Sequence, residues 1–166
     1  MPNFAEKDAC ELLDADHIAV KHLFVDYARL AFATDAAATE SQRTALAMRI
    51  CDELTVHAQI EEEIFYPALR KAHADAGDLL DEALAEHQEA KELITDIRGI
   101  GTANPAMDTL VAELNVVIEH HVKEERDEQF PKARTASKLD LIDLGQRLRE
   151  RQQALQAEPA MSVETH

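Results

Sequence analysis

The sequence predicts an all-α fold: an antiparallel up-down four-helix bundle with an additional short helix at the C-terminal end. Three observations carry this expectation. Among 166 residues there are only 4 glycines and 5 prolines, while the strong helix formers Ala, Leu, Glu, Lys, Gln and Arg are abundant. Apolar residues recur every three or four positions rather than every two. The helix-breaking residues gather at a few points, so the loops are short, and short loops join antiparallel neighbours. The length suits one domain with a real core, and a hydrophobic fraction of 46% argues against disorder.

The first helix is expected from about Asp8 to Ala33, with Leu13, His17, Val20, Phe24, Ala28 and Ala31 along one face. Thr34 to Glu40 reads as a loop. The second helix runs from near Ser41 to about Ala72, with Pro67 ending or bending it. A turn at Asp75 to Gly77 opens the third helix, which ends near Arg98. Gly99, Gly101 and Asn104 mark the next loop. Asn104 then Pro105 is a helix start: a capping side chain followed by a residue of fixed φ. The fourth helix runs to about Gln129 and stops at Pro131. Ser137-Lys-Leu-Asp140 resembles a capping box with Asp in place of Glu, opening a fifth helix over about 138–157. The domain is thus expected to be single, spanning 1–157 with its core at 12–131, and 158–166 reads as a disordered tail.

A formal charge of −16 repels phosphate backbones, so no nucleic acid is expected as a partner. No run approaches the ~20 apolar residues that cross a bilayer, and Met1 to Asp14 lacks the pattern of a signal peptide. Cys10 and Cys51 are too few for a disulfide framework. A cytoplasmic protein with free thiols is expected, as a monomer or homodimer, with the fifth helix a cover on the bundle or a dimer contact.

The chemistry lies in an internal repeat. Asp16-His17-Ile-Ala-Val-Lys21 matches Glu86-His87-Gln-Glu-Ala-Lys91, and His57-Ala-Gln-Ile-Glu61 matches His121-Val-Lys-Glu-Glu125. Phe65-Tyr66-Pro67 is echoed by Gln129-Phe130-Pro131. A duplicated helical hairpin gives a bundle of approximate twofold symmetry. The proline also settles the register: only His121 and Glu125, not His120 and Glu124, match His57 and Glu61 in their distance to it. Residues four apart share a helix face, so each His–Glu pair can reach one site. Each His sits on an apolar stripe: Leu13, Val20 and Phe24 around His17; Ile50, Leu54, Ile60 and Ile64 around His57; Leu80, Leu84, Ala90 and Ile94 around His87; Leu114, Val117 and Ile118 around His121. Histidines and glutamates buried there need a partner. Metal is the partner that suits all six. Imidazole and carboxylate donors suit iron, manganese or zinc, with no thiolate in place.

Six side chains suit two ions better than one. Glu61 and Glu125 would bridge, with His17 and His57 on one ion and His87 and His121 on the other. A bridging oxide or hydroxide would add a fifth ligand, leaving one position per ion for water, dioxygen, peroxide or nitric oxide. Tyr27 and Tyr66 read as wedges at the core edge, His22 and His73 as surface residues, and Glu62, Glu63, Glu124 and Glu128 as a solvated face.

A His, then HxxxE before a proline, then both again, resembles the bacterial hemerythrin HHE cation-binding family over about Leu12 to Pro131. The resemblance implies a bundle around a non-haem di-iron centre, with zinc or manganese the lesser candidates, and His17, His57, Glu61, His87, His121 and Glu125 as ligands. The sequence departs from the oxygen-carrying hemerythrins at two places. Lys91 stands where they have a second histidine on helix three, and Arg126 stands where they have a bridging aspartate, so Glu125 takes that role. One ion then has one nitrogen fewer and a more open position, beside a pocket of Val20, Phe24, Ala90 and Ile94 that admits small molecules. Sensing, storage or iron handling is expected, with turnover of peroxide or nitric oxide as the alternative.

Overall fold

The computed structural model describes residues 7–157, which are all-α with no strand among them. Helix α1 is Ala9–Ala31. Helix α2 consists of Ala36–Ile60, a π-helical turn at Glu61–Phe65, and Tyr66–Ala72. A 3-10 turn at Ala74–Ala76 leads into α3, Gly77–Ile100. Helix α4 repeats the plan of α2, with Pro105–Glu124, a π turn at Glu125–Gln129, and Phe130–Thr135. Helix α5 is Leu141–Ala157. The hairpin pairs α1–α2 and α3–α4 pack against each other as an up-down bundle, and α5 lies across α1 and α2. The expected tail at 158–166 lies outside the described residues, as does most of the segment ahead of Asp8. No described helix is long and apolar enough to cross a membrane.

Local chemistry explains the helix starts. Asp8 accepts from the Glu11 amide at 2.8 Å while Glu11 accepts from the Asp8 amide at 3.1 Å, a reciprocal capping box. Asn104 accepts from the Met107 amide at 2.8 Å, ahead of Pro105. Gly101, at φ 78, closes α3 in the left-handed conformation that glycine adopts without strain.

Three boundaries differ from the sequence expectation. Helix α2 begins at Ala36, not Ser41, because Asp35 caps the Ala38 amide and three alanines then propagate the helix. Pro131 does not end its helix, and Pro67 lies within α2, which runs to Ala72 as expected. Each follows a π turn, in which the Tyr66 and Phe130 amides reach back to the Glu61 and Glu125 carbonyls, and the helix continues to Ala72 and Thr135. The widened turn accommodates a ring that an α-helical interior rejects. Helix α5 begins at Leu141 because Asp140, not Ser137, accepts from the Asp143 amide.

The apolar core is divided. One cluster holds Leu13, Ile60, Phe65, Leu69, Leu80 and Phe130 together with Leu144 and Leu148 of α5. The other holds Val20, Phe24, Ile50, Leu54, Ile94 and Leu114. Between them lies a polar layer made of the repeated histidines and glutamates. Two stripe positions were misplaced by the periodicity: Ala28 is exposed and Tyr27 takes its place in the core, and Leu84 is 38% exposed. Tyr27 lies at the far end of the bundle. Its hydroxyl donates to Asp108 at 2.6 Å, and the buried Arg43 guanidinium donates to the same oxygen at 2.6 Å. The expectation of a core-edge wedge holds for Tyr27, although its hydroxyl serves this pair.

Candidate metal centre

All six repeated residues reach the polar layer. Glu61 and Glu125, each at the first position of a π turn, are fully buried, and the four histidines are nearly so. Both motif pairs close on one face: His57 Nε2 lies 3.3 Å from Glu61 Oε2, and His121 Nε2 lies 3.2 Å from Glu125 Oε2. His17 Nε2 lies 2.9 Å from Glu125 Oε1 and 3.1 Å from His57 Nε2. His87 Nε2 lies 3.0 Å from Glu61 Oε1 and 3.3 Å from His121 Nε2. The donors therefore form two groups that share Glu61. One is His17, His57, Glu61 and Glu125; the other is Glu61, His87 and His121.

Each histidine is held from behind. The Nδ1 atoms of His57, His87 and His121 lie 3.1, 2.7 and 2.8 Å from carboxylate oxygens of Asp16, Glu62 and Glu86, and His17 Nδ1 lies 3.4 Å from Asp14. An ionised carboxylate only accepts, so each Nδ1 carries the proton. Every Nε2 then points inwards, at other Nε2 atoms and at carboxylates. Glu61 Oε2 and Glu125 Oε1, both buried, have no hydrogen-bond partner. Such an interior requires positive charge. The charges surrounding these groups act in the same direction. Burial works against the His57 and His121 imidazoliums, yet Glu61 and Glu125 respectively, with the carboxylates behind, hold both well above their ordinary value. His87 is raised, again against burial, by Glu61 and Glu62. Burial would raise Glu61, but His57 and its other neighbours hold it well below its ordinary value. Without a metal, protons supply the charge.

A metal fits the same space. Two ligands at about 2.1 Å from one ion lie ~3.0 Å apart at right angles and ~3.4 Å apart at tetrahedral angles, and the inward donors are spaced at 2.9–3.6 Å. Carboxylate–histidine pairs of this kind orient ligands and raise their basicity.

The sequence reading missed three kinds of residue. Tyr66 is not a core-edge wedge. Its hydroxyl donates to Glu61 Oε1 at 3.2 Å and lies 3.2 Å and 3.3 Å from the Nε2 atoms of His87 and His121. Burial, with Glu61 and Glu125, pushes its pKa upward, so the phenol keeps its proton. Its counterpart Phe130 instead stacks on His17, with ring centres 6.2 Å apart. Glu62 and Glu124 are not a solvated face: Glu62 holds His87, and the Glu124 carboxylate lies 3.0 Å from His120 Nε2. The acids Asp16 and Glu86 stood in the repeat itself, each one residue ahead of a histidine. That shared position was the signal, and its meaning is that each braces the HxxxE histidine of the next helix. Lys91 points to Glu62 at 2.9 Å rather than standing free.

A cavity of about 190 Å³ opens on the side of the histidines away from the glutamates, walled by Val20, Leu54, Ala90, Ile94 and Ile118. Phe24, expected here, lines a neighbouring pocket beside Lys21.

The sequence profile of the hemerythrin HHE cation binding domain matches residues 8–133. The chain belongs to the hemerythrin HHE family. The HHE fold is seen again in the crystal structure of a hemerythrin HHE cation binding domain-containing protein from Mycobacterium kansasii. That structure superposes with a TM-score of 0.73 at 22% identity, over 96% of this chain and 93% of that one. A protein of Nostoc sp. named DNA nickase is 33% identical over 82 residues, 49% of this HHE chain. The match covers 23% of that protein, so the matched half of this chain corresponds to about a quarter of its length.

Proposed function

We propose that this HHE protein holds two iron ions and binds a small ligand such as dioxygen at them, for sensing, storage or iron handling. The two donor groups that meet at Glu61 carry this reading. His17, His57, His87 and His121 would supply the nitrogens, and Glu61 and Glu125 would bridge. Bound iron would supply a redox-active centre with positions free for an external ligand; zinc or manganese fits the same donors but is the lesser candidate. The protein's own part is to hold the imidazoles through Asp14, Asp16, Glu62 and Glu86 and to limit access through the apolar cavity. Elemental analysis of protein grown with ample iron should approach two irons per chain, with the near-ultraviolet absorption of a bridged ferric pair. A reproducible value of one or less would overturn the proposal.

One observation favours turnover of peroxide or nitric oxide as a second reading. The Tyr66 hydroxyl is a proton donor set directly among the ligand atoms. It lies on the His87–His121 side, where Lys91 leaves one nitrogen fewer, so its oxygen is a candidate occupant of the position the sequence reading left open. Following the spectrum after peroxide addition separates stable binding from turnover. The nicking activity in the Nostoc protein's name is not carried over, because the match is partial and a chain of net charge −16 repels DNA.

A further inference from the structure

Helix α5 lies beyond the residues matched by the HHE profile, which end at 133. The sequence alone leaves it a cover or a dimer contact. In the structure it is seated to a fixed depth. Leu144 and Leu148 are buried in the lower core, and Gly145 lies so close to α1 that an added Cβ would come within 2.5 Å of the Lys7 carbonyl oxygen. Two turns further along α5, Gln152 Nε2 donates to Asp16 Oδ2 at 2.8 Å. That is the same oxygen that accepts from His57 Nδ1 at 3.1 Å. An amide on α5 is therefore linked through one carboxylate atom to an imidazole aimed into the centre.

The three other bracing carboxylates are also held from outside, but by groups that carry or can carry positive charge. Arg126 donates to Asp14 at 2.6 Å, Lys91 to Glu62 at 2.9 Å, and His120 Nε2 lies 3.2 Å from Glu86. Asp16 alone is held by a neutral amide. A cation in that place would draw the carboxylate's charge away from His57; an amide fixes its orientation and leaves the charge to the imidazole.

We propose that Gln152 is a positioning residue of the metal centre, and that α5 is thereby a working part of it rather than a cover. This rests on the metal-binding reading above. Gln152 holds Asp16 in the rotamer that accepts from His57, and His57 keeps its Nε2 directed at the ion shared with His17. Loss of the brace lets Asp16 turn to water, so His57 loses its fixed tautomer and orientation. The helix position itself does not depend on Gln152, because Leu144, Gly145 and Leu148 set it.

The test compares Gln152→Ala with Gln153→Ala, the same change at an exposed neighbour on α5. Each is also made in an Asp16→Asn background. Iron-loaded proteins are titrated with a competing chelator, and the absorption spectrum and iron content are followed. Outer partners of metal ligands are typically worth 10–100-fold in affinity, and a residue one step further out should fall near the lower end. Gln152→Ala should lower the affinity for one of the two irons about tenfold and shift the spectrum, with circular dichroism unchanged. Gln153→Ala should do neither. In the Asp16→Asn background Gln152→Ala should add nothing, because its effect runs through Asp16. An unchanged affinity and spectrum in Gln152→Ala, or an equal effect with and without Asp16, overturns the proposal. If the unaltered protein binds no iron, the metal reading itself has failed, which is a separate outcome.

Discussion

Replacing Tyr66 by Phe removes one oxygen atom and leaves the ring in place. The ring is held by Phe65 at 6.0 Å and His87 at 5.4 Å between centres, so Phe should pack as Tyr does. The lost hydroxyl is 2% exposed as a residue and donates to Glu61 at 3.2 Å, with Glu125 at 3.4 Å. A hydrogen bond to a charged group contributes about 1.5–3 kcal/mol. The lower end applies, since Glu61 Oε1 still faces His87 Nε2 at 3.0 Å. In the metal-free protein, Tyr66→Phe should therefore cost about 1.5 kcal/mol, which lowers Tm by about 3–6 °C for a domain of this size. Thermal unfolding after chelator treatment measures this. In the iron-loaded protein the same change should alter the spectrum, because Glu61 loses the hydroxyl that donates to it. Tyr27→Phe, at the far end of the bundle, should leave the spectrum untouched. An unaltered metal-free Tm together with an unaltered iron spectrum in Tyr66→Phe would refute the reasoning.

The register is tested by paired substitutions: His121→Ala should lose iron while His120→Ala retains both ions, as read by elemental analysis. Gly145→Ala pushes a Cβ to 2.5 Å from the Lys7 carbonyl oxygen and 2.9 Å from the Asp8 carbonyl carbon, backbone atoms that cannot turn aside. It should cost about 1–3 kcal/mol in chemical denaturation. In the metal-free protein the raised pKa values of His57, His87 and His121 add stability that is complete below their unfolded value near 6.5 and is lost as pH rises through the folded values. The lowered Glu61 adds stability present above its unfolded value near 4.5 and lost as pH falls through the folded one. The metal-free protein should thus be firmest in mildly acidic solution, and the rise in Tm on adding iron should be larger at pH 8 than at pH 6, because metal displaces those protons. An equal rise at both pH values would count against protons and metal sharing the site.

Much of the centre was legible because a repeat is a strong constraint. The adjacent pair His120 and His121 cannot be separated by composition or hydrophobicity. The distance to Pro131, matched to that from His57 to Pro67, separates them, and the structure buries His121 and leaves His120 largely exposed. What the same prolines do to the helix was not legible. Proline reads as a stop or a bend because its ring clashes with the preceding turn. Here a π turn opens that turn, and nothing in Glu61–Phe65 or Glu125–Gln129 announces it. As a single residue Tyr66 fits the commoner core role. Set against Phe130 at the matched position, it is the one place in that frame where a polar atom replaces a hydrogen.

The duplicated hairpin makes the six inward residues nearly symmetric, and what surrounds them undoes the symmetry. The residue after Glu61 is Glu62, which accepts from His87 at 2.7 Å and is backed by Lys91. The residue after Glu125 is Arg126, which cannot accept. That half recruits Asp14 from α1, and Arg126 backs it. The recruited acid reaches His17 only at 3.4 Å. On the same side His57 depends on Asp16, whose outer support comes from α5 across the bundle. Tyr66 adds a polar oxygen beside His87 and His121, while Phe130 sets an apolar ring against His17. Two donor groups built this way are not equivalent. The His87–His121 half is braced by short contacts within α2, α3 and α4. The His17–His57 half is braced by a longer contact and, through Gln152 and Asp16, by a fifth helix.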